Sequence, residues 1–288
     1  MIRILGTAFA ALLGLAFGSF LNVCLSRWPE GESVVTPRSH CRSCGRTLAW
    51  WENIPLASWI ALHGRCRGCN AKIGWRYPLV ELAVAVLWGV IAWETIPDFR
   101  LGPIADWRLL ATGLGGLIFC WLMAALAVLD AEKLWLPDFL TYPGMAFGLV
   151  MRTGIWAMGS DNFRPAHPMR HLWLNAAGAL ASAGLILLIR WIYWLIRRRE
   201  GIGLGDAKLM GMLGAWLGFS GALLSFSIGV ILGAVLALVL LGVPSARRES
   251  DTWLLSKLPL GTFLCIGGVI SALWGEPLMA AYLRLVGW

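Results

Sequence analysis

Long uncharged apolar stretches alternate with short charged segments along the whole chain. A helix rises about 1.5 Å per residue, so about 20 residues cross the hydrocarbon core of a bilayer. The charge-free stretch 209–246 is too long for one crossing, and the glycine-containing segment 218–221 predicts a break into two short helices. The other charge-free stretches are 4–26, 109–129, 172–189 and 258–275.

Two further apolar stretches carry charged residues and predict weaker spans. Segment 78–93 contains Glu81, and segment 136–158 contains Asp138 and Arg152. With these two, the pattern predicts an all-α integral membrane protein with about eight transmembrane helices. The composition agrees, because 58% of the 288 residues are hydrophobic, 14% are charged and the mean hydropathy is +0.70. A soluble domain requires more polar surface than this.

The positive charge is concentrated in particular loops. Segment 27–77 contains eight Lys and Arg residues against three Glu, in a chain whose net charge is +8. Lys and Arg mark the cytoplasmic side of membrane proteins, so the distribution predicts topology and contact with membrane lipid, and no binding of nucleic acid. Both termini are then expected to face outward. The loops predicted to be cytoplasmic are 27–77, 130–135, 197–206 and 243–257, and those predicted to face outward are 96–107 and 159–170.

The pattern divides the chain into three parts. Residues 1–26 predict a first transmembrane helix that is retained, because its apolar run is longer than that of a secretory signal and no small-residue cleavage site leads into a polar domain. Residues 27–77 predict a small cytoplasmic zinc-ribbon-like domain between the first two helices. Residues 78–288 predict a seven-helix membrane domain.

Four of the seven cysteines form two CxxC pairs in the basic loop. The pairs are Cys41 with Cys44 and Cys66 with Cys69, and 21 residues separate them. Two such pairs are typical of a zinc site with four thiolate ligands. Two disulfides or a redox-active pair are alternatives, but a reducing cytoplasm disfavours disulfides and two pairs in one short loop favour a structural metal. Because four thiolates leave no open coordination position, the predicted zinc would stabilise the loop and take no part in catalysis.

Three aspartates lie at predicted helix ends on the cytoplasmic side. Asp130 ends the third helix, Asp138 opens the fourth and Asp206 opens the sixth. Each also has a purely structural explanation. An aspartate after a turn is a good helix N-cap, which suits Asp138 and Asp206. Asp130, at a helix C-terminus, gains nothing from the helix dipole and could instead pair with Lys133.

Two aspartates within hydrogen-bond distance of each other would support catalysis. Such carboxylates share a proton near neutral pH, so that one acts as a base on water while the other polarises a peptide carbonyl. Gly203 and Gly205 would let a substrate backbone approach Asp206 closely. On the sequence alone the partner of Asp130 is either Asp206 or Asp138, since a proline breaks the helix that would hold Asp130 and Asp138 about 12 Å apart.

Four motifs together resemble the type IV prepilin peptidase family. They are GSFLNVCLSRWP at 18–29, the cysteine loop at 40–82, DAEKLWLPDFLTYP at 130–143 and GIGLGDAKLMGMLGAWLG at 201–218. The resemblance spans almost the whole chain and implies a membrane aspartyl endopeptidase of eight helices, with 78–288 as its peptidase domain. It would cut the basic leader from prepilin or pseudopilin precursors at the cytoplasmic side of the bacterial inner membrane. It would then N-methylate the new N-terminal residue with S-adenosylmethionine.

The same resemblance implies roles for single residues. Asp130 and Asp206 would be the catalytic pair, and the cysteine cluster would hold structural zinc. The residues that would support the pair are Asp138, Gly203, Gly205 and Lys208.

The chain departs from the common family pattern in three places. Ile202 stands where Met is common, segment 258–264 replaces the common Pro-Phe-Gly-Pro-Phe, and loop 27–39 is short. No residue is assigned to the methyl donor. Glu81 is a candidate functional charge, with an ion pair to Arg76 as the alternative.

Other functions stay open on the sequence. A proton-coupled transporter would use the three aspartates as a relay, but it predicts acids near the bilayer midplane and repeated, broken helices. A zinc-ribbon scaffold for a secretion machine would explain the loop and leave the aspartates without a role. Within the family, a peptidase without methyltransferase activity is a further alternative.

Overall fold

A computed structural model describes residues 1–96, 107–158, 168–199, 201–242 and 258–286. These residues are mainly helical, and the β-structure among them is limited to two isolated bridges in the cysteine loop. The predicted loop 243–257, and most of the predicted loops 96–107 and 159–170, lie outside the described residues.

Eight α-helices are described, together with two short 3-10 turns. The helices are α1 (Ile2–Arg27), α2 (Ala57–Ala61), α3 (Arg76–Thr95), α4 (Trp107–Lys133), α5 (Asp138–Met158), α6 (Pro168–Arg197), α7 (Leu204–Gly242) and α8 (Leu260–Val286). The 3-10 turns are Trp28–Glu30 and Trp50–Asn53.

Six of the described helices are long and apolar enough to cross a membrane by length and composition. They are α1, α3, α4, α6, α7 and α8, whereas α5 falls outside this group. The weak hydropathy of α5 agrees with its polar residues Asp138, Thr141 and Arg152. The prediction of an all-α membrane protein is therefore confirmed, and the count of eight transmembrane helices stays a prediction.

The described chain forms two compact units, Met1–Ala125 and Leu126–Trp288. The first contains the cysteine loop and the second contains the three aspartates. The predicted boundaries after residues 26 and 77 stay a prediction.

In the first unit, α1 and α3 pack closely through glycines. A Cβ on Gly14 would lie 2.7 Å from Ala85 Cα, and a Cβ on Gly18 would lie 2.7 Å from Glu81 Cα. Glycines four residues apart let helix backbones approach each other in a membrane, where packing replaces the hydrophobic effect. This contact places Glu81 beside α1.

In the second unit, α7 is interrupted at Gly218, within the segment where the sequence predicts a break. Gly218 has φ 74° and ψ 175°, which glycine adopts without the steric cost of a side chain. Arg152 of α5 lies against the break, donating hydrogen bonds of 3.1 Å to Trp216 O and to Asn175 Oδ1. A cation at a helix C-terminus is favourable, so the break explains the charged residue in the weak span 136–158.

The chain reverses direction at this break. On the second half of α7, Gly221 contacts Ser271 and Gly229 contacts Phe263, so this half runs antiparallel to α8. The first residues of α7 and of α8 both lie against Leu136. The second half of α7 therefore returns toward the end at which α7 begins.

Candidate active site and metal centre

The carboxylate of Asp130 is bound by the first turn of another helix. Asp130 lies in the last turn of α4 and is 5% exposed. Its Oδ2 accepts a hydrogen bond of 2.7 Å from the Thr262 N–H in α8, and Thr262 Oγ1 lies 3.2 Å from the same oxygen. A Cβ on Gly261 would lie 2.9 Å from Asp130 Cγ, so glycine leaves the room that the carboxyl group needs. Segment 258–264, a departure from the family pattern, thus supplies the partners of Asp130.

This contact places Asp130 at the positive end of the dipole of α8, an interaction that the sequence did not predict. The first N–H groups of a helix have no partner within the helix and carry its partial positive charge. Asp130 is at the unfavourable end of its own helix, α4, but at the favourable end of α8. The expectation that Asp130 gains nothing from a helix dipole is therefore wrong for α8.

Asp206 lies at the start of α7 and is half-buried. Its Oδ2 accepts a hydrogen bond of 3.1 Å from the Gly203 N–H, so that the carboxylate closes the first turn of its own helix. Asp206 lies within electrostatic range of Asp130. Each of these two carboxylates accepts a hydrogen bond from a backbone N–H group at a helix N-terminus.

Leu136 packs against the segment that carries Asp206 and against the helix start that binds Asp130. A Cβ on Gly205 would lie 3.2 Å from Leu136 Cβ, and a Cβ on Gly261 would lie 3.0 Å from Leu136 Cδ1. Gly205 thus makes room for Leu136 at the start of α7. The predicted role of Gly203 and Gly205 in admitting a substrate backbone stays a prediction.

Asp138 has a different environment. Its side chain is 59% exposed and forms an ion pair with Lys208 of α7. Asp138 lies in the first turn of α5, where a carboxylate is favourable. Of the two pairings that the sequence left open, the structure has Asp130 within electrostatic range of Asp206, whereas Asp138 forms its ion pair with Lys208. The ion pair joins the starts of α5 and α7.

Two residues near the aspartates were not singled out from the sequence as part of the site. Thr262 binds Asp130, and Cys265 is buried within electrostatic range of both carboxylates. The only signal in the sequence was the departure of segment 258–264 from the family pattern, which immediately precedes Cys265.

The four loop cysteines converge in one cluster. Their Sγ atoms all lie within 4.8 Å of one another, and Cys41 Sγ is 3.8 Å from Cys69 Sγ. Tetrahedral zinc with bonds of about 2.3 Å would place sulfurs about 3.8 Å apart. The donor set and spacing of Cys41, Cys44, Cys66 and Cys69 therefore fit one metal ion.

The two cysteine pairs share one backbone geometry. The Gly45 N–H donates to Cys41 O at 2.8 Å, and the Asn70 N–H donates to Cys66 O at 2.9 Å. Gly45 and Asn70, with φ 69° and 59°, lie in the left-handed region that Gly and Asn tolerate best. Each pair therefore forms the same tight turn.

Backbone N–H groups lower the pKa of two of the sulfurs, those of Cys41 and Cys66, but the sulfurs do not all share this shift. The N–H groups of Cys69 and Gly68 lower the pKa of Cys66 to about 6. For Cys69, the Ala71 N–H lowers the pKa, but burial and hydrogen bonds to the other cysteines raise it to about 11. Sulfurs this close do not all ionise without a compensating cation, and a divalent metal ion provides that charge.

The predicted alternative for Glu81, an ion pair with Arg76, is not what the structure shows. Glu81 accepts hydrogen bonds from the Leu56 N–H, at 2.8 Å, and from the Ser19 hydroxyl. Arg76 Nη2 instead donates to Ser26 Oγ at 2.8 Å.

Two protein-family models match separate parts of the chain. Residues 12–95 match the bacterial peptidase A24 N-terminal domain, and residues 117–238 match the type IV leader peptidase family. The first range contains the cysteine cluster, and the second contains Asp130 and Asp206. Thr262 lies beyond both.

Curated relatives match the chain along most of its length. The prepilin leader peptidase/N-methyltransferases of Pseudomonas aeruginosa and Stutzerimonas stutzeri are 34% and 33% identical, and each match covers 96% of this chain and 93% of the relative. The protein of the same name from Myxococcus xanthus is 37% identical over 84% of this chain and 66% of the relative. No solved structure matches the chain. The chain belongs to the type IV leader peptidase family.

Proposed function

We propose that the protein is a membrane aspartyl endopeptidase that removes the basic leader from type IV prepilin or pseudopilin precursors and N-methylates the residue it exposes. The relatives carry both activities in their names. The observation that supports the peptidase activity is the position of Asp130 and Asp206, within electrostatic range of each other where α4 ends and where α7 and α8 begin. Paired carboxylates hydrolyse peptide bonds by sharing one proton.

The hydrogen bonds assign different roles to the two aspartates. Asp130 accepts a hydrogen bond of 2.7 Å from the Thr262 N–H and has the Thr262 hydroxyl beside it, whereas Asp206 accepts a single, longer bond of 3.1 Å from the Gly203 N–H. We therefore take Asp130 as the ionised base and Asp206 as the carrier of the shared proton. Asp130 removes a proton from water as the water oxygen attacks the scissile carbonyl carbon, and Asp206 donates its proton to the carbonyl oxygen. When the C–N bond breaks, Asp130 returns its proton to the leaving nitrogen and Asp206 recovers one from the diol.

The supporting residues keep this pair in place. Leu136 packs between the starts of α7 and α8, and the ion pair of Asp138 with Lys208 joins α5 to α7. None of these groups needs to touch the scissile bond. In this proposal Asp138 is therefore a positioning residue.

We place the site at the cytoplasmic face of the bacterial inner membrane. Six candidate spans make the chain a membrane protein, and the basic segment 27–77 marks its cytoplasmic side. The aspartates lie at helix ends, where the apolar stem of a membrane-anchored precursor would bring its basic leader. Acids at helix ends argue against a transporter, which would hold them near the bilayer midplane.

For the metal centre we propose zinc, held by the four cysteines. Four thiolates leave no open coordination position, so the metal would fold segment 27–77 and take no part in hydrolysis. S-adenosylmethionine would supply the methyl group to the amine that cleavage exposes.

The experiment that tests the proposal is mass spectrometry of a prepilin incubated with the purified protein in lipid and S-adenosylmethionine. We expect the precursor to lose its leader after a glycine and the product to gain one methyl group. A precursor with a bulky residue in place of that glycine is the control and should stay intact. An unprocessed natural precursor would contradict the peptidase, and a cleaved but unmethylated product would contradict the second activity.

A further inference from the structure

A cavity in the first unit lies beside the cysteine cluster. It has a volume of about 330 Å³ and is bordered by α1, α3 and the cysteine loop. Small-molecule sites in proteins measure roughly 300–1,000 Å³. Its lining includes Ser19, Asn22, Arg27, Trp59, Tyr77 and Glu81.

Glu81 places a carboxylate at this cavity without a cationic partner of its own. Glu81 is 7% exposed, and the partners described for it are the Leu56 N–H and the Ser19 hydroxyl, both of which are neutral. Acidic residues within transmembrane segments are costly and are usually functional. A cationic ligand in the cavity would supply the missing charge.

Asn22 adds a second polar group that lacks a partner. Asn22 is 2% exposed, and its Nδ2 donates to Tyr77 O at 2.9 Å. Within the described residues, its Oδ1 has no hydrogen-bond partner. A buried acceptor without a partner costs about 1–3 kcal/mol, so its presence in the lining favours a polar ligand.

Trp59 gives the cavity an aromatic surface whose position is fixed. Its Nε1 donates to Ile73 O at 3.2 Å, and its ring lies 4.4 Å from the ring of Trp75. A Cβ on Gly64 would lie 2.8 Å from Trp59, so the glycine makes room for the ring. Aromatic faces attract cations and stack on nucleobases.

We infer that this cavity binds S-adenosylmethionine, with Glu81 as the counter-charge for a cationic group of the ligand. The ligand carries two cationic groups, a sulfonium and an ammonium, together with ribose hydroxyls and an adenine ring. The cationic groups match the carboxylate of Glu81, the hydroxyls match the amide of Asn22, and the adenine matches the indole of Trp59. The inference rests on the proposed methyltransferase activity. It assigns the methyl donor to the first unit.

The test is equilibrium binding of S-adenosylmethionine to the full-length, zinc-loaded protein without prepilin. We expect saturable binding to the wild type and binding at least about tenfold weaker to Glu81→Gln, because a buried charge would lose its partner. The matched control is Glu94→Gln on the exposed side of α3, which should bind as the wild type does.

Two measurements separate a loss of binding from a loss of fold. Glu81→Gln should keep its zinc content and still cleave prepilin, because Glu81 is not in the proposed peptidase machinery. In the wild type, ultraviolet cross-linking of the ligand followed by peptide mapping should label 19–27 or 59–81. This second measurement requires no substitution.

The outcomes distinguish the inference from the proposed function. A wild type that cleaves prepilin but neither binds the methyl donor nor methylates would overturn both the methyltransferase and this site. If the wild type methylates, but Glu81→Gln binds normally or the label maps to the second unit, the cavity assignment alone is wrong. Weakened binding together with a label in the cavity would establish the site.

Discussion

Among single residues, the partner of each carboxylate distinguishes the three aspartates. Asp130 and Asp206 are bound by backbone N–H groups at helix N-termini, whereas Asp138 is exposed and paired with Lys208. Backbone donors hold a carboxylate in place and leave its remaining lone pairs for water or substrate. A lysine beside the carboxylate instead neutralises it. The first environment suits catalysis, and the second suits a structural contact.

Gly261→Ala should reduce cleavage more than stability. The added Cβ would lie 2.9 Å from Asp130 Cγ and 3.0 Å from Leu136 Cδ1, so the carboxylate must shift from its position. A misplacement of about 1 Å can cost 100-fold in rate, and we expect prepilin cleavage to fall at least about tenfold. The measurement is the rate at which the protein removes the leader from a prepilin in lipid.

The control for this substitution is Gly184→Ala in α6. No atom lies within 4 Å of the position that its Cβ would occupy, so cleavage should stay unchanged. If Gly261→Ala cleaves as fast as Gly184→Ala, the account of how Asp130 is held is wrong.

Among the helices and loops, features that depend on a local sequence pattern were predictable. Contacts between distant segments were not. The length of the charge-free stretch 209–246 and its glycines predicted the break that occurs at Gly218, and CxxC spacing predicted the cysteine cluster. The contact of Thr262 with Asp130 joins residues 132 positions apart, and no local pattern encodes it. The same is true of the packing of Gly205 against Leu136.

Arg152→Leu should destabilise the second unit. The substitution leaves Trp216 O and Asn175 Oδ1 without the donors that they have at the break in α7. A part-buried acceptor that loses a donor costs less than the about 1–3 kcal/mol that applies to a fully buried one. We expect a lower thermal unfolding midpoint in detergent, partly restored by Arg152→Lys. An unchanged midpoint would show that the guanidinium does not stabilise the break.

Cys41→Ser should affect the metal before it affects hydrolysis. Loss of one of four ligands should reduce the bound zinc measured by elemental analysis and make segment 27–77 sensitive to limited proteolysis. Ser43→Ala keeps all four thiols and is the control. A protein that lacks zinc, resists proteolysis and remains fully active would contradict the structural role of the metal.

For the molecule as a whole, we propose an orientation in which the basic segment 27–77 and the aspartates face the cytoplasm. Basic residues concentrate in 27–77, and the aspartates lie at helix ends that the predicted topology assigns to the same, cytoplasmic side. A basic leader would therefore be cut before its precursor leaves the membrane.

Cysteine labelling of intact cells tests this orientation. A membrane-impermeant maleimide should label Arg170→Cys, at the predicted outer end of α6, and should label Glu132→Cys only after the cells are opened. Both positions are exposed, so accessibility within the protein does not separate them. The parent protein with its native cysteines gives the background. Labelling of Glu132→Cys in intact cells would contradict the proposed topology.

Cleavage of a prepilin by the wild type, Asp130→Asn, Asp206→Asn and Asp138→Asn tests the central proposal most directly. Asparagine keeps the size of the side chain and removes the titratable proton, and circular dichroism would establish that each variant is folded. We expect cleavage to be lost in Asp130→Asn and Asp206→Asn and retained in Asp138→Asn. Cleavage that survives in either of the first two variants would contradict the aspartate pair as the catalytic centre.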